Sequence, residues 1–186
     1  RSGQTFPYID GGVSISRTAR TYPTFLIFKP SMILTSIFLI IYWTKTNKLI
    51  NFYQNLENNK NLFKTFGILS AVFLIIHSIF LGIKFDYDLY KFFRRFVLLA
   101  FIVFEIVAQS LLVFRLFKLK SSIKDYFNNY ALILKIILVS ILVVVAIFSL
   151  PIVVTSGNVH FKHALEWNYF VGVILFYFLT YLFWKK

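Results

Sequence analysis

The sequence predicts an all-α protein, a polytopic bundle of helices that crosses a membrane five times. Hydrophobic residues account for 59% of its 186 residues, and its mean hydropathy is +0.74. A soluble domain is about half apolar, whereas apolar runs of about 18 or more residues are typical of segments whose solvent is lipid. No run alternates apolar and polar residues as a barrel strand does, so we expect each span to be a helix.

Five apolar runs are long enough to cross a bilayer. A helix rises about 1.5 Å per residue, so about 20 residues cover a hydrocarbon core of about 30 Å. The first helix is expected to begin at Pro30 and to run past Trp43, and Pro151 is expected to kink or stop the fourth. We expect a single domain, residues 1–186, with an extramembrane segment at residues 1–24 and spans at residues 25–43, 62–83, 92–117, 131–154 and 164–184.

The chain is strongly basic, with a formal net charge of +13, and it has no cysteine. Most of its Lys and Arg residues lie between the apolar runs, where such residues usually serve topology and anionic headgroups, so we expect membrane phospholipids as partners and no nucleic acid. Cytoplasmic loops favour Lys and Arg, which places the loops at residues 44–61 and 118–130 and the C-terminus on the cytoplasmic or matrix-equivalent side. Because the chain begins with Arg1, we expect a cleaved signal peptide or a further span upstream.

Glu105 is the polar residue that lies deepest in a predicted span. It is about 20 Å from each end of the third span, at the bilayer midplane. A charge at that depth costs at least about 2.5 kcal/mol on insertion scales and tends to face a partner or a cavity. Arg94 and Gln109 share its helix face, which is expected to point into the bundle. Two interpretations stay open: a proton site or polar pocket, and a hydrogen-bonded structural carboxyl.

The membrane side opposite the basic loops collects further polar residues. Glu166 lies near the start of the last span, where the helix dipole alone would favour a carboxylate. His77 lies in the outer third of the second span, and Arg20 and Arg94 lie on the same side of the membrane. Arginine suits bidentate binding of phosphate, which predicts a pocket for a lipid headgroup; snorkelling of long side chains to the interface is the alternative.

The sequence contains no nucleophile elbow, glycine-rich phosphate loop or zinc-protease motif. His160 and His163 have a spacing that a metal ion can bridge, but the pair lies in a predicted loop and no cysteine assists it. We therefore predict no catalytic residue, no cofactor and no metal site, and the protein is not predicted to be an enzyme.

Short motifs along the chain resemble those of a known family. They are the segment Phe6-Pro-Tyr-Ile-Asp-Gly-Gly12 with Tyr22-Pro23 before the first span, the pair Phe101-Ile-Val-Phe-Glu-Ile106 and Leu112-Val-Phe-Arg-Leu-Phe-Lys118, and Ala164-Leu-Glu-Trp167. Together they resemble the Frag/DRAM/Sfk superfamily, the family of the GPI-anchor lipid-remodelling factor and the damage-regulated autophagy modulators. The resemblance implies six membrane helices, the first upstream of Arg1, and a role around membrane lipids. It also implies that Glu166 matches the carboxylate of the family's last helix.

The leading hypothesis is an integral membrane protein that binds or handles lipid through a polar pocket open to the outer leaflet. Its rim would consist of Glu166, Arg94, Arg20 and His77, and Glu105, with Gln109 beside it, would form the polar floor. One alternative is a non-catalytic structural subunit of a larger membrane complex, such as a respiratory complex or ATP synthase, with other membrane subunits as partners. A further alternative is a proton-coupled transporter or channel that uses Glu105.

Overall fold

The computed structural model describes residues 6–19, 21–53, 61–81, 83, 87–120, 126–154 and 157–184. Five of the helices in these ranges, α3 to α7, are long and apolar enough to cross a membrane. The only strand-like feature in the same ranges is an isolated bridge between Phe127 and Trp184, so the prediction of an all-α helical bundle is confirmed. The helices are α1 (Pro7–Asp10), α2 (Ile15–Thr18), α3 (Thr24–Tyr53), α4 (Leu62–Phe80), α5 (Asp88–Lys118), α6 (Asn129–Val154) and α7 (Val159–Phe183).

The first long helix extends well beyond the apolar run that predicts it. α3 begins at Thr24 and contains Pro30, so the prediction that the helix begins at this proline is wrong. The helix also runs ten residues past Trp43, because its last turns are held by polar contacts: the Asn61 side-chain amide donates to the side-chain oxygens of Asn47 and Asn51, each at 2.8 Å. Hydropathy predicts only the part of a helix that lies in lipid. The amide hydrogen bonds stabilise the part of α3 that follows it.

The long helices pack in chain order around the bundle. α4 packs against α3 and α5, and α6 packs against α5 and α7, whereas the backbones of α3 and α7 hardly approach each other. Close packing brings Gly67 of α4 against the Trp43 ring of α3, where a Cβ atom would lie 2.3 Å from a ring carbon. Among the described residues, each long helix therefore packs against its neighbours in the bundle, except that α3 and α7 do not pack against each other.

Residues 6–19, here called the N-terminal strap, lie against the start of α7. Gly11 ends α1 with φ of +61°, and its backbone approaches the His160 carbonyl so closely that a Cβ atom would lie 1.7 Å from the oxygen. The indole N–H of Trp167 donates to the Val13 carbonyl at 2.8 Å, and the Tyr8 ring meets the Trp167 ring edge to face at 5.5 Å. The strap thereby joins the first and last of the motifs on which the family resemblance rests.

Candidate functional site

A cavity of about 1110 Å³ lies between α3 and α7, where the two backbones do not pack. Its walls are largely apolar, with rings such as Phe38, Phe101 and Phe178 among the lining side chains. The lining residues of α7 extend from Glu166 to Phe183, over about 26 Å of helix. The volume slightly exceeds the range of about 300–1,000 Å³ that is typical of small-molecule pockets, and the length approaches the thickness of a bilayer core.

Polar side chains lie at the two ends of this cavity. One end, here called the His77 end, is lined by His77, Glu166 and Ile15 of the strap. His77 is buried and Glu166 is half-buried, and neither side chain is without an interaction partner. The opposite end, here called the Lys135 end, carries two lysines and three hydroxyl groups: Lys45, Lys135, Tyr42, Thr46 and Thr180.

Lys135 is a buried cation that the sequence reasoning missed. Its side chain is 1% exposed although it belongs to α6, whose sequence around it is almost entirely apolar. The ammonium nitrogen donates to the Thr180 hydroxyl at 2.6 Å and lies 4.1 Å from the centre of the Phe176 ring. Thr180 Oγ1 is in turn 3.4 Å from the Tyr42 hydroxyl. A single lysine inside an otherwise apolar span was the signal that could have identified it.

Glu105 forms the centre of a separate cluster, here called the Glu105 cluster. The carboxylate is completely buried and accepts hydrogen bonds from Ser70 of α4 at 2.6 Å, from Gln109 of α5 at 2.9 Å and from the Tyr177 hydroxyl of α7. Three helices are therefore joined through one carboxyl group. The lining of the cavity includes the Tyr177 ring but not Glu105, so this carboxylate lies behind Tyr177 and not at the cavity floor.

Aromatic rings extend the Glu105 cluster toward α3. The Tyr42 and Tyr177 rings meet edge to face with centroids 4.9 Å apart, and Trp43 lies 6.5 Å from Tyr177 in a similar geometry. Such edge-to-face pairs contribute about 0.5–1.5 kcal/mol beyond area burial. The backbones of α3 and α7 stay apart, so these rings form a bridge between the helices beside the cavity.

The structure brings together only part of the predicted pocket rim. His77 and Glu166 line the same end of the cavity, as the leading hypothesis requires. Arg94 does not line it, because the guanidinium packs over the Tyr90 ring at 5.8 Å, and Gln109 is held by Glu105. Arg20 lies outside the described residues.

One of the two histidines at the start of α7 contacts the N-terminal strap. The Nδ1 atom of His163 lies 3.0 Å from the Gly11 carbonyl oxygen, a contact that fixes the strap on α7. Within the described ranges, no group of three or more His, Asp or Glu residues is placed to share a metal ion.

By length and composition, the five long helices define a multi-pass integral membrane protein. Comparison of the chain with protein-family models, with curated proteins and with solved structures gives no match. The likeness to the Frag/DRAM/Sfk superfamily therefore rests on the quoted motifs alone.

Proposed function

We propose that the protein binds a membrane lipid in the cavity between α3 and α7. The observation that carries the proposal is the cavity itself: its walls are largely apolar and it follows α7 for about 26 Å. Acyl chains are the apolar molecules that a membrane supplies in excess, and a cavity parallel to spanning helices has the direction of a lipid chain in its leaflet.

The gap between α3 and α7 gives the cavity a side that faces the bilayer. Several lining residues are also strongly exposed, among them Phe38 at 59% and Phe178 at 58%. These side chains belong to the cavity wall and to the lipid-facing surface at the same time. A chain from the surrounding leaflet therefore reaches the cavity sideways, without crossing the polar ends of the bundle.

The two other functions considered from the sequence stay predictions. A structural subunit of a larger complex would migrate on blue-native electrophoresis as a species several times the monomer mass. A proton-coupled transporter would show flux in proteoliposomes that Glu105→Gln abolishes.

Lipid retention in mild detergent tests the proposal. Val173 lines the cavity from α7, whereas Val171 lies two residues away on the same helix and outside the lining. We expect the wild-type protein and Val171→Trp to retain phospholipid, detected by mass spectrometry of the purified protein, because Trp at 171 extends into the surrounding lipid. Val173→Trp places an indole ring in the path of the acyl chain and is expected to reduce the amount of bound lipid.

Circular dichroism and size-exclusion chromatography establish that both tryptophan variants are folded. Lipid retention by folded Val173→Trp equal to that of Val171→Trp would overturn the proposal. So would a wild-type protein that remains stable and carries no lipid.

A further inference from the structure

The Lys135 ammonium is buried inside the bundle, whereas a lysine at this depth in a membrane helix usually extends its ammonium to the membrane interface. Lys135 lies six residues into α6, about 9 Å from the start of the helix. At such a depth a lysine side chain is long enough to snorkel, extending its charge toward the interface while its stem covers apolar surface. Lys135 instead turns inward and is 1% exposed.

The partners of this ammonium are few. An ammonium group has three N–H donors, and within the described part of the chain Thr180 is the acceptor that receives one of them. The rings of Phe176 and Phe183 lie at 4.1 Å and 5.6 Å from the nitrogen and supply only the weaker attraction of their faces. No carboxylate among the described residues pairs with Lys135.

Other polar groups at the Lys135 end would also bind an anion favourably. Lys45 adds a second cation to the lining of this end, and Thr46 and Tyr42 add hydroxyl groups, a type of group that can donate hydrogen bonds to oxygen anions. The carboxylate in the cavity lining is Glu166, which lies fourteen residues before Thr180 along α7, or about 21 Å away. The cavity is therefore polarised, with its positive charge at one end.

We propose that the Lys135 end is a binding site for the anionic head of an acyl-chain amphiphile. The head is a carboxylate or a phosphate that accepts hydrogen bonds from the Lys135 ammonium and the neighbouring hydroxyls. The chain extends from there along the apolar walls toward the His77 end. This assignment rests on the proposed function and adds to it the ligand's charge, its head position and its direction in the cavity.

The test compares lipids that share acyl chains and differ in their heads. Purified protein is titrated with oleate, with dioleoylphosphatidylglycerol and with dioleoylphosphatidylcholine, and binding is measured by native mass spectrometry. We expect the wild type to prefer one or both of the anionic lipids over phosphatidylcholine. A preference for oleate would mean that the anionic head is the carboxylate of a fatty acid. A preference for phosphatidylglycerol would mean that it is the phosphate of a phospholipid.

Lys135→Met keeps the volume of the side chain and removes its charge. Hydrogen bonds to charged groups contribute about 1.5–3 kcal/mol, so the anionic preference is expected to fall at least about tenfold while phosphatidylcholine binding stays unchanged. Lys118→Met is the matched control, because Lys118 is an exposed lysine of α5 outside the cavity lining and its loss should leave the preference intact. An unchanged preference in folded Lys135→Met would overturn the assignment without affecting the proposed function.

A second measurement uses the wild-type protein and does not depend on the folding of any variant. A fatty acid with a diazirine at its methyl end is bound and photolysed, and the labelled peptides are identified. Labelling of lining residues near the His77 end, such as Ile102 and Tyr169, places the carboxylate at Lys135. Labelling of Phe183 and Trp184 at the Lys135 end would reverse the ligand and overturn the assignment, and absence of labelling anywhere in the cavity would count against the proposed function itself.

Discussion

Glu105 and Lys135 are both buried ionisable residues inside membrane-spanning helices, yet their surroundings differ. The carboxylate of Glu105 accepts hydrogen bonds from three side chains on three helices. The ammonium of Lys135 has one described hydrogen-bond partner, Thr180, and it faces a cavity. A buried polar group that the protein itself satisfies stabilises one arrangement of the helices, whereas a group left with unused donors beside an open volume is suited to an external partner.

The location of the two residues explains this difference. Glu105 lies in the middle of α5, facing the helix α4, with which α5 shares the most extensive packing in the bundle. Lys135 lies on the side where α3 and α7 leave the bundle open. Glu105 therefore finds its hydrogen-bond partners within the packed helices. The remaining N–H donors of Lys135 face the cavity, where a ligand can accept them.

Removing the Glu105 carboxylate should have the largest effect on stability. In Glu105→Ala the donors Ser70, Gln109 and Tyr177 lose their acceptor. Each buried donor left unsatisfied costs about 1–3 kcal/mol, and these costs are only partly additive, so we expect the free energy of unfolding to fall by about 2–4 kcal/mol. Unfolding by dodecyl sulfate in mixed micelles, followed by tryptophan fluorescence, measures it.

Glu105→Gln is the milder control, because its amide oxygen still accepts hydrogen bonds, and it should lose less stability than Glu105→Ala. A Glu105→Ala protein as stable as the wild type would show that the Glu105 cluster does not hold the helices together.

Tyr177→Phe should have an intermediate effect. The change removes one donor from the Glu105 carboxylate and keeps the ring that packs on Tyr42. A neutral hydrogen bond contributes about 0.5–1.5 kcal/mol and one to a charged group somewhat more, so we expect a loss of about 1 kcal/mol in the same unfolding assay. Tyr181→Phe is the matched control on α7, since its side chain is 69% exposed; equal losses in the two variants would contradict the role of the hydroxyl.

Lys135→Met should have the smallest effect on the stability of delipidated protein. Replacing a buried charge by an apolar side chain of similar volume is often neutral or stabilising, and the one hydroxyl that Lys135 contacts is also placed to donate to its own helix, at the Phe176 carbonyl. We expect a change within about 0.5 kcal/mol in the unfolding assay. A loss as large as that of Glu105→Ala would mean that Lys135 is a structural residue of the same kind as Glu105.

The sequence predicts one half of the Glu105 cluster. The depth of Glu105 and the position of Gln109 one turn later indicate an inward-facing polar pair, and the two side chains are hydrogen-bonded. Ser70 and Tyr177 could not be identified from the sequence, because their contact with Glu105 depends on the relative height and rotation of α4, α5 and α7. Periodicity describes each helix separately and contains no information on these quantities.

Lys135 illustrates a different limit of sequence reasoning. A lysine near the end of an apolar span is compatible with an interfacial anchor and with an inward-facing site, and only the rotation of α6 distinguishes them.

The helix bounds show a similar limit. α7 begins at Val159, five residues before the apolar run that predicts it, because this first turn packs on the N-terminal strap rather than in lipid.

The N-terminal strap also bears on how the protein is made. Its hydrogen bonds to His163, Trp167 and Asn168 join residues 152, 154 and 160 positions apart. A ribosome synthesises the strap before these three partners, so the strap has nothing to bind on α7 until α7 itself has been made. Its attachment therefore follows the synthesis of α7, and protection of residues 6–19 from a protease marks chains in which α7 has taken its place.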